Sequence, residues 1–584
     1  MIVKDKIPYN RLQNTVLLFL LLVSTILSSQ TKRYVSQEKG SDSNNGSSAS
    51  SPFKTIKTAV DFLKPGDTLY IMGKYTNASF NPDYTYSGNI NDPYIWSQEN
   101  TIKISNLHGK AGKYITIKAY DQNTVLKGDG ANIFRVTNCS YLRIEDLELY
   151  GQVEKISLET AKALQFLYRN SGSSNSLYRV PPGTSDEEVK NMTFSALKNI
   201  KRPSYTDTRG FYFSNVHHID FINNKIHHVP GNGFRVADCE YINIIGNEIH
   251  DTSRKSYSGT HGLVVTKTKS TDNQKNYKVS ILRNKVHHNY NEIYSWAPSK
   301  TFINPRIDEG KGISLQRNNV SSWVDGKGRI LVENNVCYWN GYSGIHSNDG
   351  YRIDFINNTC YMNSYTNTVT YAGKEQRGNN IGISSQRGNG IRIINNISVI
   401  DTDWNGFALS ASNSTGLVVR NNLIYGVGSH AVSIAGDIDA VDVNTKKAEP
   451  RFVDQDNFNF DLKETSPAIS HADKNYAPAE DYYQNPRDDQ PDAGAIEYSA
   501  SLGVEDLLME AGNIYPNPFT DRIFIKKINS EDKINIYNLL GQQFNALISI
   551  RHSNDGTEID TSKLPRGTYL IRIGTVTKII LKTK

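Results

Sequence analysis

The chain has 584 residues, a formal charge of +6, and only 5 Met and 5 Trp against 42 Gly and 34 Tyr. That length exceeds what one compact core holds, so the chain is divided or built from repeats. The Gly and Tyr content suits strands and turns and argues against a helical bundle, and the small overall charge selects no class of partner.

The first 30 residues, "MIVKDKIPYNRLQNTVLLFLLLVSTILSSQ", place Lys4, Lys6 and Arg11 ahead of an apolar run from Val16 to Leu27 and then small residues. This is the pattern of a secretory signal peptide over 1–30, with cleavage expected between Ser28 and Gln30. No later segment is apolar enough to span a membrane as a helix. A secreted or cell-surface chain is expected, and export argues against a nucleic-acid partner.

Next comes "YVSQEKGSDSNNGSSASSPFKTIKTAVDFLKPGDTLYIMGKYTN". It resembles the N-terminal segment of right-handed parallel β-helix proteins of the pectin-lyase-like superfamily. The resemblance implies that "FKTIKTAVDFL" is a helical piece capping the open end of the core, which would otherwise expose unpaired strand edges.

From there the chain repeats itself. Glycine-led strands begin at Gly210, Gly233, Gly262, Gly312, Gly344, Gly382 and Gly406, and each is followed by a second strand ending in Asn224, Asn247, Asn284, Asn335, Asn358, Asn396 or Asn422. Two or three short alternating strands per period, separated by turns, predict a parallel β-solenoid. In "VPGNGFRVADCEYINIIGNEIHD" the residues Phe234, Val236, Ile242 and Ile244 feed the core, and the Asn column forms an internal amide ladder. Cys139 and Cys239 share one column, and Cys337 and Cys360 another. Stacked buried thiols are expected there, with oxidation of the second pair as the alternative.

Insertions interrupt the repeat at 153–208, 252–260, 268–276, 289–309 and 364–379. The first contains "SDEEVKNMTFSALKNIKR", which reads as a helix capped by Ser185. The far segment, "PRFVDQDNFNFDLKETSPAIS" through "DAGAIEY", resembles the closing segment of the same superfamily. The tail, 503–584, has short strands broken by Pro, Gly and Asn, as in a small β-sandwich. It resembles the C-terminal sorting domain of the type IX secretion system of Bacteroidetes, which implies that the partner machinery exports the chain. The expected class is all-β: a right-handed parallel β-helix over 31–500 with a short helical insertion at 153–208, then a small C-terminal β-sandwich, working as a monomer.

A solenoid has no pocket of its own, and a site arises where inserted loops wall off one face. The column after the glycines presents Tyr212, Arg235, Val264, Ser314, His346, Ser384 and Ala408. Two positions on stand Ser214, Ala237, Thr266, Gln316, Asn348, Gln386 and Ser410, and the turn adds Asp238, Lys267, Arg317, Asp349 and Arg387. Asn232, His261, Lys311 and Ser343 precede the glycines. Between Thr252 and Arg329 there are 14 Lys/Arg against five Asp/Glu, which points to an anionic ligand or a solvated basic face.

Such a surface suits a polysaccharide that carries uronate or sulfate groups. In β-elimination a cation neutralises the substrate carboxylate and a basic group removes the C5 proton, for which Arg235, Lys311, His346 and His261 are the catalytic candidates. Gln316, Arg317, Asn348, Asp349, Gln386, Arg387 and Asp238 are the candidate substrate-binding residues. Asp308 and Glu309 are candidate Ca2+ ligands. Hydrolysis instead requires two flanking carboxylates, drawn from Asp238, Glu309 and Asp349. "GNGFRV" is similar to the "GNGFKL" stretch around the catalytic lysine of family 9 polysaccharide lyases. This implies a catalytic role for Arg235, although the preceding turn, "GFYFSNVHHIDF", lacks that family's paired aspartates. His227, His250 and His287, beside His228, Asp251 and His288, form a further column, read as solvent-facing histidines or a transition-metal site. The expectation is a polysaccharide lyase, with a glycoside hydrolase or a non-catalytic glycan-binding solenoid as alternatives.

Overall fold

The computed structural model divides into two compact units, 1–497 and 498–584. It describes 30–171, 203–256, 258–293, 309–364, 380–401, 406–426 and 438–499 with short stretches between them, and 514–583 apart from 526–532, 539–541, 554–555 and 574–575. The leader, most of the segment 180–202, and Asp308 lie outside the described residues. Among the described residues no helix is long and apolar enough to cross a membrane.

The first unit is a right-handed parallel β-helix. Its strands form a 19-stranded and an 11-stranded sheet, and within both every pairing is parallel. Each turn of the solenoid has three faces, shown by residues 234–237, 242–245 and 248–250. The long strands Asn132–Glu145, Arg209–Ile222 and Phe234–Ile245 run through the first two faces. Alternation sends Phe234, Val236, Ile242, Ile244 and Ile249 inward, each with no exposed surface. Phe221 stacks on Phe234 with ring centroids 4.2 Å apart, and truncating such a ring to Ala costs about 3–5 kcal/mol.

The corners explain most of the polar repeat. Asn138, Asn215, Asp238, Lys267, Arg317, Asp349, Arg387 and Asn413 occupy one bend with φ of 49–55°. Left-handed backbone disfavours most side chains, and Asn and Asp tolerate it because they bond locally. Asp238 and Asp349 therefore have a backbone reason to be there. At the next corner the Asn ladder runs as expected, with side-chain amide bonds of 2.9–3.1 Å from Asn224 through Asn422. A second ladder, Asn289 to Asn340 to Asn363, bonds at 2.9 and 3.0 Å.

The third face differs from the solvent-facing reading. His227 and His287 are buried, and His227, His250, His287 and Tyr338 stack with centroids 4.9, 4.8 and 4.6 Å apart and planes within 5°. Phe458, from the closing segment, continues the stack on Tyr338 at 4.5 Å. That segment also docks on the corner residues: Asn334, Asn357, Asn395 and Asn421 donate to the carbonyls of Glu480, Asp492, Asp473 and His471.

The helix Ile56–Asp61, capped by Thr55, buries Ile56 and Ala59 at the start of the core. Cys337 pairs in register with Cys360, and all four cysteines are buried free thiols. Two expectations need correction. Ser185 Oγ accepts from the Glu188 amide at 3.3 Å as the expected cap, but Ala196–Leu197, further along the stretch read as helical, pairs with Leu177 and Tyr178 as a strand of a small antiparallel sheet. Ser384 pairs with Ser410 rather than Ala408, so the last aligned turn is shifted by two residues and Ala408 points into the core. Glycines led both segments, but the side-chain period of two places Leu409 opposite Ile383.

The second unit has four-stranded and three-stranded antiparallel sheets around Ile523, Ile525, Ile536, Ile559 and Ile571.

Candidate functional site

The first face carries the column Arg135, Tyr212, Arg235, Val264, Ser314, His346 and Ser384, one residue per turn. These side chains point away from the core, yet Val264 and Ser314 have no exposed surface, and His346 and Ser384 are buried. At the corner that opens this face only glycine fits between turns: a Cβ at Gly312 would sit 2.6 Å from the Gly344 oxygen and 2.8 Å from Asn340 Nδ2. His261 and Lys311 stand immediately before Gly262 and Gly312.

There they meet Glu309. Lys311 Nζ donates to Glu309 Oε2 at 2.7 Å and lies 4.6 Å from the Tyr342 ring centre. The Lys311 amide donates to His261 Nδ1 at 3.2 Å, which leaves the proton of a neutral ring on Nε2. That Nε2 is 2.7 Å from the Gln316 carboxamide and 3.7 Å from Glu309 Oε2. His261 has no exposed surface. Burial, then the Lys311 charge, holds its pKa well below the ordinary imidazole value, so it stays neutral. His346 Nδ1 lies 2.7 Å from Ser384 Oγ, with Tyr342 edge-on at 5.9 Å.

Arg235 is held differently from Lys311. It makes no hydrogen bond or ion pair with any described residue, although burial, reinforced by Arg209, pushes its pKa down to about 10. It keeps its charge at neutral pH. Several cations of the basic stretch are matched: Arg254 with Glu292 at 2.7 Å, Lys255 with Glu292, Lys278 with Glu240 and with Asp272 at 2.6 Å, Lys285 with Glu248 at 3.1 Å, and Arg329 with Asp354, whereas Lys267, Lys275, Arg317 and Lys327 form no ion pair with a described residue. Much of the local basic excess is thus spent on holding turns together.

The remaining expected residues divide. Gln316 joins the cluster. Arg387 forks onto Asp349 at 2.7 and 3.0 Å and onto Asn348 at 2.6 Å, so that carboxylate is already committed. Arg317 and Gln386 lie along the same edge, Arg317 exposed. Asp238 lines a separate hollow of about 310 Å³ with His217, His218, Glu240, Tyr241 and Asp272. Asp308 falls outside the described residues. Sequence reasoning missed Tyr342 and the buried Asp207, which lies in the electrostatic surroundings of Arg235 and accepts from Ser256 at 2.6 Å. No column marks either one; only their placement beside inserted loops could have.

Comparison with known proteins agrees with the two-part organisation. Residues 513–583 match a secretion system C-terminal sorting domain, so the chain is directed by the type IX route to the cell surface or beyond. The first unit is similar in fold to a pectate lyase, Pel9A (15% identity, TM-score 0.40, covering 82% of this chain and 98% of that one). It is also similar to a rhamnogalacturonan lyase (13%, 0.36, 82% and 98%). A third likeness is to a glycoside hydrolase (9%, 0.41, 71% and 96%). No curated protein matches the sequence.

Proposed function

We propose that the protein cleaves an anionic, uronate-containing or sulfated polysaccharide on the first face, by β-elimination. The observation that carries this reading is Arg235: a charged, largely desolvated guanidinium with no described partner, on the same face as the His261, Glu309, Lys311 and His346 cluster. Its planar fork suits a carboxylate or sulfate, and pairing with a uronate would acidify the C5 proton.

Four basic groups compete for that proton. Arg235 keeps its own at neutral pH, Lys311 already donates to Glu309, and His261 is enclosed with Nδ1 already accepting. His346 is left as the base. If its Nδ1–H donates to Ser384, Nε2 is free of a proton and able to take one. As the C4–O bond breaks, the Lys311 ammonium supplies a proton to the leaving oxygen. His261 positions Gln316 and Glu309.

Calcium fits this cluster poorly. Glu309 is neutralised by Lys311, and among the described residues it belongs to no set of three close His, Cys, Asp or Glu ligands. Hydrolysis is the second reading, supported by the two buried carboxylates Glu309 and Asp207.

The test is incubation of the secreted protein with pectate, alginate, chondroitin, ulvan and sulfated fucan, with and without chelator, reading reducing ends and absorbance near 235 nm. New ends with absorbance that persist in chelator support elimination without calcium. New ends without absorbance mean hydrolysis. No new ends, together with retention of the protein in an affinity gel, would mean a glycan-binding solenoid.

A further inference from the structure

We propose that the corner following the third face binds a divalent transition-metal ion through His228, His250 and Asp251. Ligand atoms of these three half-buried residues lie within 4.8 Å of one another. Tetrahedral ligands about Zn2+ stand roughly 3.4 Å apart, so side-chain rotation of about 1 Å closes the set around an ion.

The site follows from the repeat. Successive turns read "IHHV" at 226–229, "IHDT" at 249–252 and "VHHN" at 286–289. The first residue of each quartet is core, the second stands on the third face, and the third turns the corner: His228, Asp251 and His288 have φ of 56, 50 and 53°. Parallel pairing places His227 beside His250 and His250 beside His287, so imidazoles and corner groups line up along the solenoid axis.

The middle turn is different from its neighbours. His227 and His287 are saturated: each Nδ1 meets the corner histidine at 2.7 Å, and each Nε2 meets a carboxylate, Glu148 at 3.0 Å and Glu248 at 3.4 Å. His250 Nδ1 meets Asp251 at 2.8 Å, but its Nε2 bonds to no described residue. His228 Nε2 points at Glu154 Oε1, 3.1 Å away, at the foot of the 153–208 insertion. Glu154 is a natural fourth donor. The set is then two imidazoles and two carboxylates, which suits Zn2+, Co2+ or Ni2+ better than Ca2+ or Mg2+, whose ligands are oxygens. The chain Glu148, His227, His228 supplies the outer hydrogen bonding that fixes a ligating ring. A bound ion would tie two turns of the solenoid to the base of the insertion.

The test is titration of the untagged, metal-stripped full chain with Zn2+ by calorimetry and with Co2+ by visible absorption. His228→Asn and Asp251→Asn are the informative variants, because Asn tolerates the left-handed corner and leaves the turn foldable. The expected result is one saturable site with a Co2+ spectrum of low-symmetry coordination, weakened tenfold or more in each variant, with Zn2+ raising the melting temperature of the parent chain but not of Asp251→Asn. Absence of saturable binding up to about 1 mM Zn2+, or equal binding by parent and both variants, would overturn the proposal.

Discussion

The first and third faces both carry histidines, and they use them in opposite ways. On the third face His227, His250 and His287 occupy one register position and stack nearly parallel, each ring repeating the last. On the first face His261 and His346 occupy different positions, and each has its own partners: Lys311, Glu309 and Gln316 for one, Ser384 and Tyr342 for the other. In a repeat protein, a polar residue that recurs in register is satisfied by its own copies and builds the scaffold. One that occurs once in its column, like His346, or that arrives beside an insertion, like Lys311, is available for chemistry.

Substitutions on each face test that division. The largest effect is expected from His346→Ala, which should lower kcat/KM on the cleaved polymer by about 10²–10⁴-fold while leaving the melting temperature unchanged. A stable but fully active variant would move the base elsewhere. In the ladder, Asn335→Ala should do the reverse, costing about 2–4 kcal/mol in denaturant unfolding with little change in turnover per folded molecule. It removes donors to Ile281, Glu333 and Asn358 and leaves buried carbonyls unpaired. Arg235→Gln should raise KM about tenfold for the anionic polymer, flatten its dependence on salt and lower kcat as well, because the same guanidinium acidifies the C5 proton; unchanged constants would remove Arg235 from the anion seat.

The third face should show itself in pH dependence. Burial holds His227 and His287 at about 4, below the ordinary imidazole value near 6.5. The unfolded chain therefore takes up protons that the folded chain refuses, so stability is complete above about pH 6.5 and falls as pH drops toward 4. A melting temperature flat from pH 7 to 4.5 would contradict the buried stack. The smallest effect is expected at Asp349→Asn, which keeps the corner residue type but removes the half-exposed Arg387 pair, for a loss of less than about 1 kcal/mol by thermal melting.

Much of this was readable before any coordinates. The core positions Phe234, Val236, Ile242 and Ile244, the Asn ladder and the cysteine columns recur at fixed spacing, and periodicity reports whatever repeats. Lys311, His261, His346 and Glu309 were also nameable, because they stand beside repeat glycines or at loop ends. What failed had no repeat to report it. The slip of register at Ala408 arose because Gly406 lies opposite Asn380, two residues earlier in its turn than Gly382, so aligning on the glycine shifted the strand. The local basic excess looked like a groove because a sequence does not display partners such as Glu292, Glu248 and Asp354 on other turns.

By itself, then, the sequence determined the class of architecture, the direction of export through its sorting tail, and which residue types reach the first face. Only the tertiary structure decided which of those charges are already matched. A strand's alternation is a local property written into neighbouring residues, whereas the pairing of Lys311 with Glu309, of Arg387 with Asp349, and the isolation of Arg235 depend on which turns lie 4.8 Å apart and where the loops between them return.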